Sequence, residues 1–99
     1  MSIDTSREAQ AAAVSKLPRE FQSTCMAEPE YMAKLVNWIK TNPPIKGYEL
    51  RAYWDDMEGH FWKQIYEFVY LQRCALAVVL AGYEIYGRTG LNYRIRSPK

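Results

Sequence analysis

Residues 61–86 read FWKQIYEFVYLQRCALAVVLAGYEIY, and only four of them, Lys63, Glu67, Arg73 and Glu84, carry a formal charge. A helix that is apolar on every side over so many turns has to be covered nearly all round. A chain of 99 residues has little else to cover it with. The expectation is a central helix wrapped by the rest of the chain, or one that another molecule finishes burying. Asp55-Asp56-Met57-Glu58 resembles a capping box, and Gly59 weakens any helix running through it. A break or kink is therefore expected here, with the long helix starting near Asp56. Gly87 and Gly90 bracket its far end near Tyr86, where Arg88 suits the negative helix terminus.

The flanking segments supply the cover. Thr5-Ser6-Arg7-Glu8 fits a capping box, and the alanine-rich run behind it predicts a peripheral helix within residues 1–17. Only Val14 and Leu17 anchor it, and Pro18 ends it and can open a short turn through Phe21. Pro29 opens the next helix, PEYMAKLVNWIKTN. Tyr31, Met32, Leu35, Val36, Trp38 and Ile39 form its apolar stripe, and Asn42-Pro43-Pro44 stops it. A further helical stretch starts near Tyr48 and holds Leu50, Tyr53 and Trp54. The tail LNYRIRSPK alternates apolar and polar residues and reads as extended or mobile. The fold class expected is all-α. It is one domain over residues 1–99, with a long apolar helix at about 56–86, two or three shorter helices and an extended basic tail at 88–99.

Charge is unevenly spread along the chain. Residues 46–70 carry five acids and three bases, whereas residues 71–99 carry five bases and one acid. Cys25 and Cys74 lack CxxC spacing and no signal peptide opens the chain, so free thiols in a reducing cytoplasm are expected. The longest uncharged apolar run, Cys74 to Tyr83, is about half a bilayer span, which argues against a transmembrane helix.

No catalytic equipment stands out. Asp56 and His60 are spaced i, i+4 and could share a metal on a helix, but no second histidine completes a ligand set. The reading taken is helix capping, with no metal and no cofactor. Cys74 lies about 21 Å along a straight helix from His60, so the two do not form a nucleophile–base pair. The glycines are scattered and build no phosphate loop. The chain is read as not an enzyme.

The aromatic surplus carries more. Eight Tyr and three Trp exceed what a domain this small can hide, and exposed Tyr and Trp mark protein contacts. Trp62, Tyr66 and Tyr70 step by four along one stripe. The partner-binding residues expected are Trp54, Trp62, Tyr66 and Tyr70, helped by Tyr93, Arg94 and Arg96. Small residues at Cys74, Ala77 and Ala81, and separately Ala75 and Gly82, serve internal helix packing, with a homodimer through the long helix as the sharper alternative. The basic tail gives a second function, nucleic-acid binding through Arg88, Arg94, Arg96 and Lys99, although four charges make a small electrostatic footprint.

In its length, its aromatic helix HFWKQIYEFVYLQ (60–72) and its tail LNYRIRSPK (91–99), the chain resembles the compact, tyrosine-rich proteins that bacteriophages encode to inhibit or redirect host machinery. Among these it resembles the anti-RecBCD accessory proteins of lambdoid phages; anti-CRISPR proteins share the same general character. The resemblance implies a non-enzymatic binder that occupies a host protein complex, such as a nuclease of DNA recombination and repair, in the host cytoplasm. It carries over no individual functional residue.

Overall fold

A computed structural model describes residues 3–23, 26–45, 47–61, 67–88 and 92–97, with residues 58–61 and 67–70 described by their backbone alone. The helices are α1 (Arg7–Val14), α2 (Pro29–Thr41), α3 (Leu50–Phe61) and α4 (Glu67–Leu80), with a single 3₁₀ turn at Arg19–Phe21. Three short strands complete the fold: β1 (Tyr48–Glu49), β2 (Glu84–Tyr86) and β3 (Arg94–Arg96). They form one antiparallel sheet in the order β1-β3-β2, so the C-terminal strand is the central one.

Helix α4 is the hub, packing against α1, α2, α3 and β2. Cys74, Ala75, Leu76, Ala77 and Val78 are consecutive and all fully buried. Five consecutive helical positions point in every direction round the axis, so α4 is covered on all sides, as its apolar composition demands. Cys74, Ala75 and Ala77 are small enough to admit close neighbours, and this chain's own elements fill those contacts. Helix α2 begins at Pro29, as the sequence predicts, and buries Met32, Leu35, Val36 and Ile39. Tyr31 and Trp38 flank that stripe, half-buried.

The all-α expectation is overturned by the sheet, and the single long helix at 56–86 by its ends. The signal that stops α4 is Gly82. Its φ is +101°, its amide donates to the Val79 carbonyl at 3.0 Å, and the Tyr83 amide reaches back to the Val78 carbonyl at 3.2 Å. These are the two bonds of a Schellman cap, which needs a left-handed residue that glycine supplies without Cβ strain. The chain then turns into β2, so Glu84–Tyr86 is strand rather than the last turn of a helix, and Gly87 and Arg88 do not close one. Gly87 instead makes room for the backbone. A Cβ there would lie 2.7 Å from the Asn92 carbonyl oxygen, so the close approach of the β2–β3 connection requires glycine.

The expected break at Asp55–Gly59 is also absent, since α3 runs through it from Leu50 to Phe61. Backbone bonds fix its start instead. The Gly47 amide donates to the Ile95 carbonyl at 2.8 Å and the Leu50 amide to the Tyr93 carbonyl at 2.9 Å, holding Tyr48–Glu49 against β3. The tail is likewise not a loose extension over residues 94–96. Ile95 is fully buried at the centre of the sheet, with Tyr48 and Ile85 as its cross-strand neighbours.

At the N-terminus the cap falls one residue later than expected. Ser6 is the N-cap, its hydroxyl accepting from the Ala9 amide at 3.2 Å, while Thr5 donates to the Pro29 carbonyl at 3.0 Å. Ala9 cannot return the bond that Glu8 was expected to give. Asp4 does so, accepting from the Ser6 amide at 2.9 Å, and that bond lowers the Asp4 pKa. Helix α1 is anchored by more than apolar contact. Gln10 is fully buried, donates to the carbonyls of Thr5 and Ala27 at 2.9 Å each, and accepts from the Ala27 amide at 3.0 Å.

Candidate functional site

Four elements meet around an open cleft of about 440 Å³. Trp38 comes from the last turns of α2, Pro43 and Ile45 from the connector, Tyr48 from β1, and Tyr53 and Asp56 from α3. The double proline ends α2 and holds the connector stiff. The bonding of β1 to β3 then sets Tyr48 beside the first turns of α3. Tyr53 is the pivot: its ring centroid lies 5.4 Å from that of Trp38 and 5.7 Å from that of Tyr48, the latter edge to face. Such tilted pairs gain quadrupole attraction beyond the area they bury. The Tyr53 hydroxyl donates to the Asn42 carbonyl at 2.5 Å, which ties α3 to the end of α2.

The rim of the cleft is chemically mixed. Ile45 is 73% exposed, far more than Met26 at 37%, the other large exposed hydrophobic residue among those described. Opposite it, Asp56 accepts a hydrogen bond from the Tyr48 hydroxyl. That bond, with a smaller contribution from burial, raises the Tyr48 pKa, because ionisation would set two negative oxygens against each other. Burial is the main cause of the upward shift at Tyr53. Asp56 thus serves Tyr48, and the expected Asp56–His60 pairing falls on a side chain outside the described residues. Among the described residues no cluster of three His, Cys, Asp or Glu could hold a metal ion.

The outer face of the sheet is a second surface. Arg94 donates to the Gly47 carbonyl at 2.8 Å and lies 3.6 Å from the Glu49 carboxylate. Arg96 bonds Glu84 at 3.0 Å, and its guanidinium sits 4.4 Å from the centre of the Tyr86 ring. Both arginines project from the sheet face opposite Ile95, and each is already matched by a carboxylate. A third surface, a cleft of about 480 Å³ lined by Lys16, Tyr83 and Ile85, lies beside the β2 edge and lacks a comparable aromatic cluster.

The residues expected to bind a partner separate into groups. Trp54 is only 2% exposed, with the Arg51 guanidinium 5.2 Å from its ring centre. It belongs to the core rather than to a contact surface, and its indole N–H finds no hydrogen-bond partner among the described residues. Tyr93 is also core: its ring lies 5.5 Å from that of Phe21 and its hydroxyl donates to Glu20 at 3.2 Å. Trp62 and Tyr66 lie outside the described residues, as does the side chain of Tyr70. Arg94 and Arg96 are half-exposed on the sheet. The aromatic cleft brings together residues from α2, the connector, β1 and α3 that no local motif links. Its one sequence signal is Trp38, Tyr48 and Tyr53 on either side of the stiff, apolar Pro43-Pro44-Ile45.

Cys74 is a free, fully buried thiol whose pKa burial pushes up. Among the described residues no helix is long and apolar enough to cross a membrane. The class the fold defines is a small α+β domain, helices clustered round α4 with a three-stranded antiparallel sheet at one side. Comparison with protein-family models, with curated proteins and with solved structures gives no match.

Proposed function

We propose that the chain is a non-enzymatic binding module that grips a partner protein through the Trp38–Tyr48–Tyr53 cleft. The observation that carries this reading is Ile45, 73% exposed on a proline-stiffened connector at the rim of an aromatic groove. A lone exposed isoleucine is ordinary. One held on a proline-stiffened connector beside the half-buried rings of Trp38 and Tyr48, which pack on buried Tyr53, is an anchor that loses little conformational freedom on binding. Covering the exposed part of Ile45 is worth about 1–2 kcal/mol, roughly a tenfold change in affinity. The resemblance to phage-encoded inhibitors makes a host DNA-processing complex, such as a recombination nuclease, the partner class proposed, and the cytoplasm the place of action.

Nucleic-acid binding through the tail is less favoured, because Arg94 and Arg96 are matched by Glu49 and Glu84. Affinity capture from bacterial lysate, at low and high salt and with and without nuclease treatment, tests the proposal with wild type and Ile45→Glu side by side. A protein complex retained by wild type and lost by Ile45→Glu supports the cleft. Equal retention removes the cleft from the interface, and recovery of nucleic acid alone, lost at high salt, moves function to the arginines.

A further inference from the structure

The cleft has a charge bias as well as an apolar lining. Asp56 is exposed at its edge, its Oδ2 accepting from the Tyr48 hydroxyl. Helix α2 ends at Thr41 beside the cleft, and the last carbonyls of a helix carry the negative end of its dipole. Trp38 and Tyr48, both half-buried, add aromatic π-systems, whose faces are electronegative. The one cation in the last turn of α2, Lys40, is exposed and does not line the cleft, and among the described residues no lysine or arginine does. Three sources of negative potential therefore meet at a groove whose described lining holds no lysine or arginine.

Resting on the binding-module reading, we propose that this cleft receives an arginine side chain of the partner, its guanidinium against the Trp38 and Tyr48 rings and paired with the Asp56 carboxylate. Arginine fits better than lysine for three reasons. Its planar group stacks on aromatic surfaces, its forked donors match a carboxylate, and it is less strongly hydrated than an ammonium, so a half-open site holds it at lower desolvation cost.

The test uses the full-length protein and three short peptides, acetyl-Gly-Pro-Xaa-Pro-Gly-amide with arginine, citrulline or lysine as Xaa. Citrulline keeps the shape and most hydrogen bonds of arginine but loses the charge. Binding is followed by NMR shifts of the Trp38 indole and the Tyr48 and Ile45 backbone amides. The arginine peptide is expected to move these signals, with citrulline binding at least about fivefold more weakly and Asp56→Asn costing the arginine peptide about fivefold while leaving citrulline unchanged. Equal binding of arginine and citrulline overturns the inference while leaving an apolar protein-binding cleft standing, since capture by wild type against Ile45→Glu tests that reading separately. Lysine binding as tightly as arginine removes the guanidinium preference, and the absence of shifts at the cleft with all three peptides also overturns the proposal.

Discussion

Replacing Gln10 by leucine should be among the most damaging single changes in this protein. The side chain is fully buried and makes three hydrogen bonds, two of them to the amide and carbonyl of Ala27, which is itself 3% exposed. Leucine preserves most of the volume, so little of the loss comes from a cavity. What remains is a buried backbone amide and carbonyl at Ala27 without partners, each costing about 1–3 kcal/mol, while the part-buried Thr5 carbonyl recovers more of its loss from water. The sum is about 3–5 kcal/mol, a third or more of the stability of an ordinary domain of about 10 kcal/mol. Urea unfolding followed by far-UV circular dichroism measures it: at an m-value of about 1.5 kcal/mol/M the midpoint falls by about 2–3 M. Gln10→Glu should also destabilise, because an ionised carboxylate oxygen then faces two carbonyls, and it should recover partly at acidic pH where the group can donate again. A loss below about 1 kcal/mol in Gln10→Leu refutes the reasoning, since it means that the Ala27 groups reach water and that Gln10 does not lock α1 to the chain before α2.

Other expectations follow from the same bonds. Gly82→Ala places a Cβ on a residue with φ +101° and should cost roughly 1–2 kcal/mol by thermal unfolding; an unchanged midpoint contradicts the helix cap. Tyr48, Tyr53 and Tyr93 all have raised phenol pKa values, so the stability they lend is complete below the unfolded value of about 10 and lost as pH rises through their folded values. The melting temperature should therefore fall above about pH 10, less steeply in Tyr48→Phe, and a flat profile there disproves the coupling. In a Cys25→Ser variant the Cys74 thiol should react with a thiol reagent only at the rate of unfolding, whereas rapid labelling of the folded protein contradicts its burial.

Much of the helical layer is legible in the sequence, because Pro29 marks a start and the Met32–Ile39 stripe keeps its period over several turns. The strands are not, since two or three residues are too few to show an alternating pattern. Arg94-Ile95-Arg96 reads as an extended surface segment until its pairing with Tyr48–Glu49, far off in sequence, makes Ile95 the centre of the sheet. Gly82 was visible but ambiguous: among Ala77, Ala81 and Leu80 it passes for a small packing residue, and only its φ shows it to be a terminator. Trp54 illustrates the limit for surfaces. Tyr53 and Trp54, neighbours on α3, are both only 2% exposed, whereas Trp38 and Tyr48 stay half-buried, a difference set by tertiary contacts rather than by residue type. The cleft draws residues from α2, the connector, β1 and α3, and no local motif announces that convergence.

The most direct test is a hydrogen–deuterium exchange footprint of the protein in complex with its captured partner. If the cleft is the grip, protection concentrates on peptides covering residues 38–45 and 48–56, with residues 7–14 and 94–96 unchanged. Protection confined to β2, β3 or α1, with the Trp38–Asp56 segments exchanging as in the free protein, contradicts it.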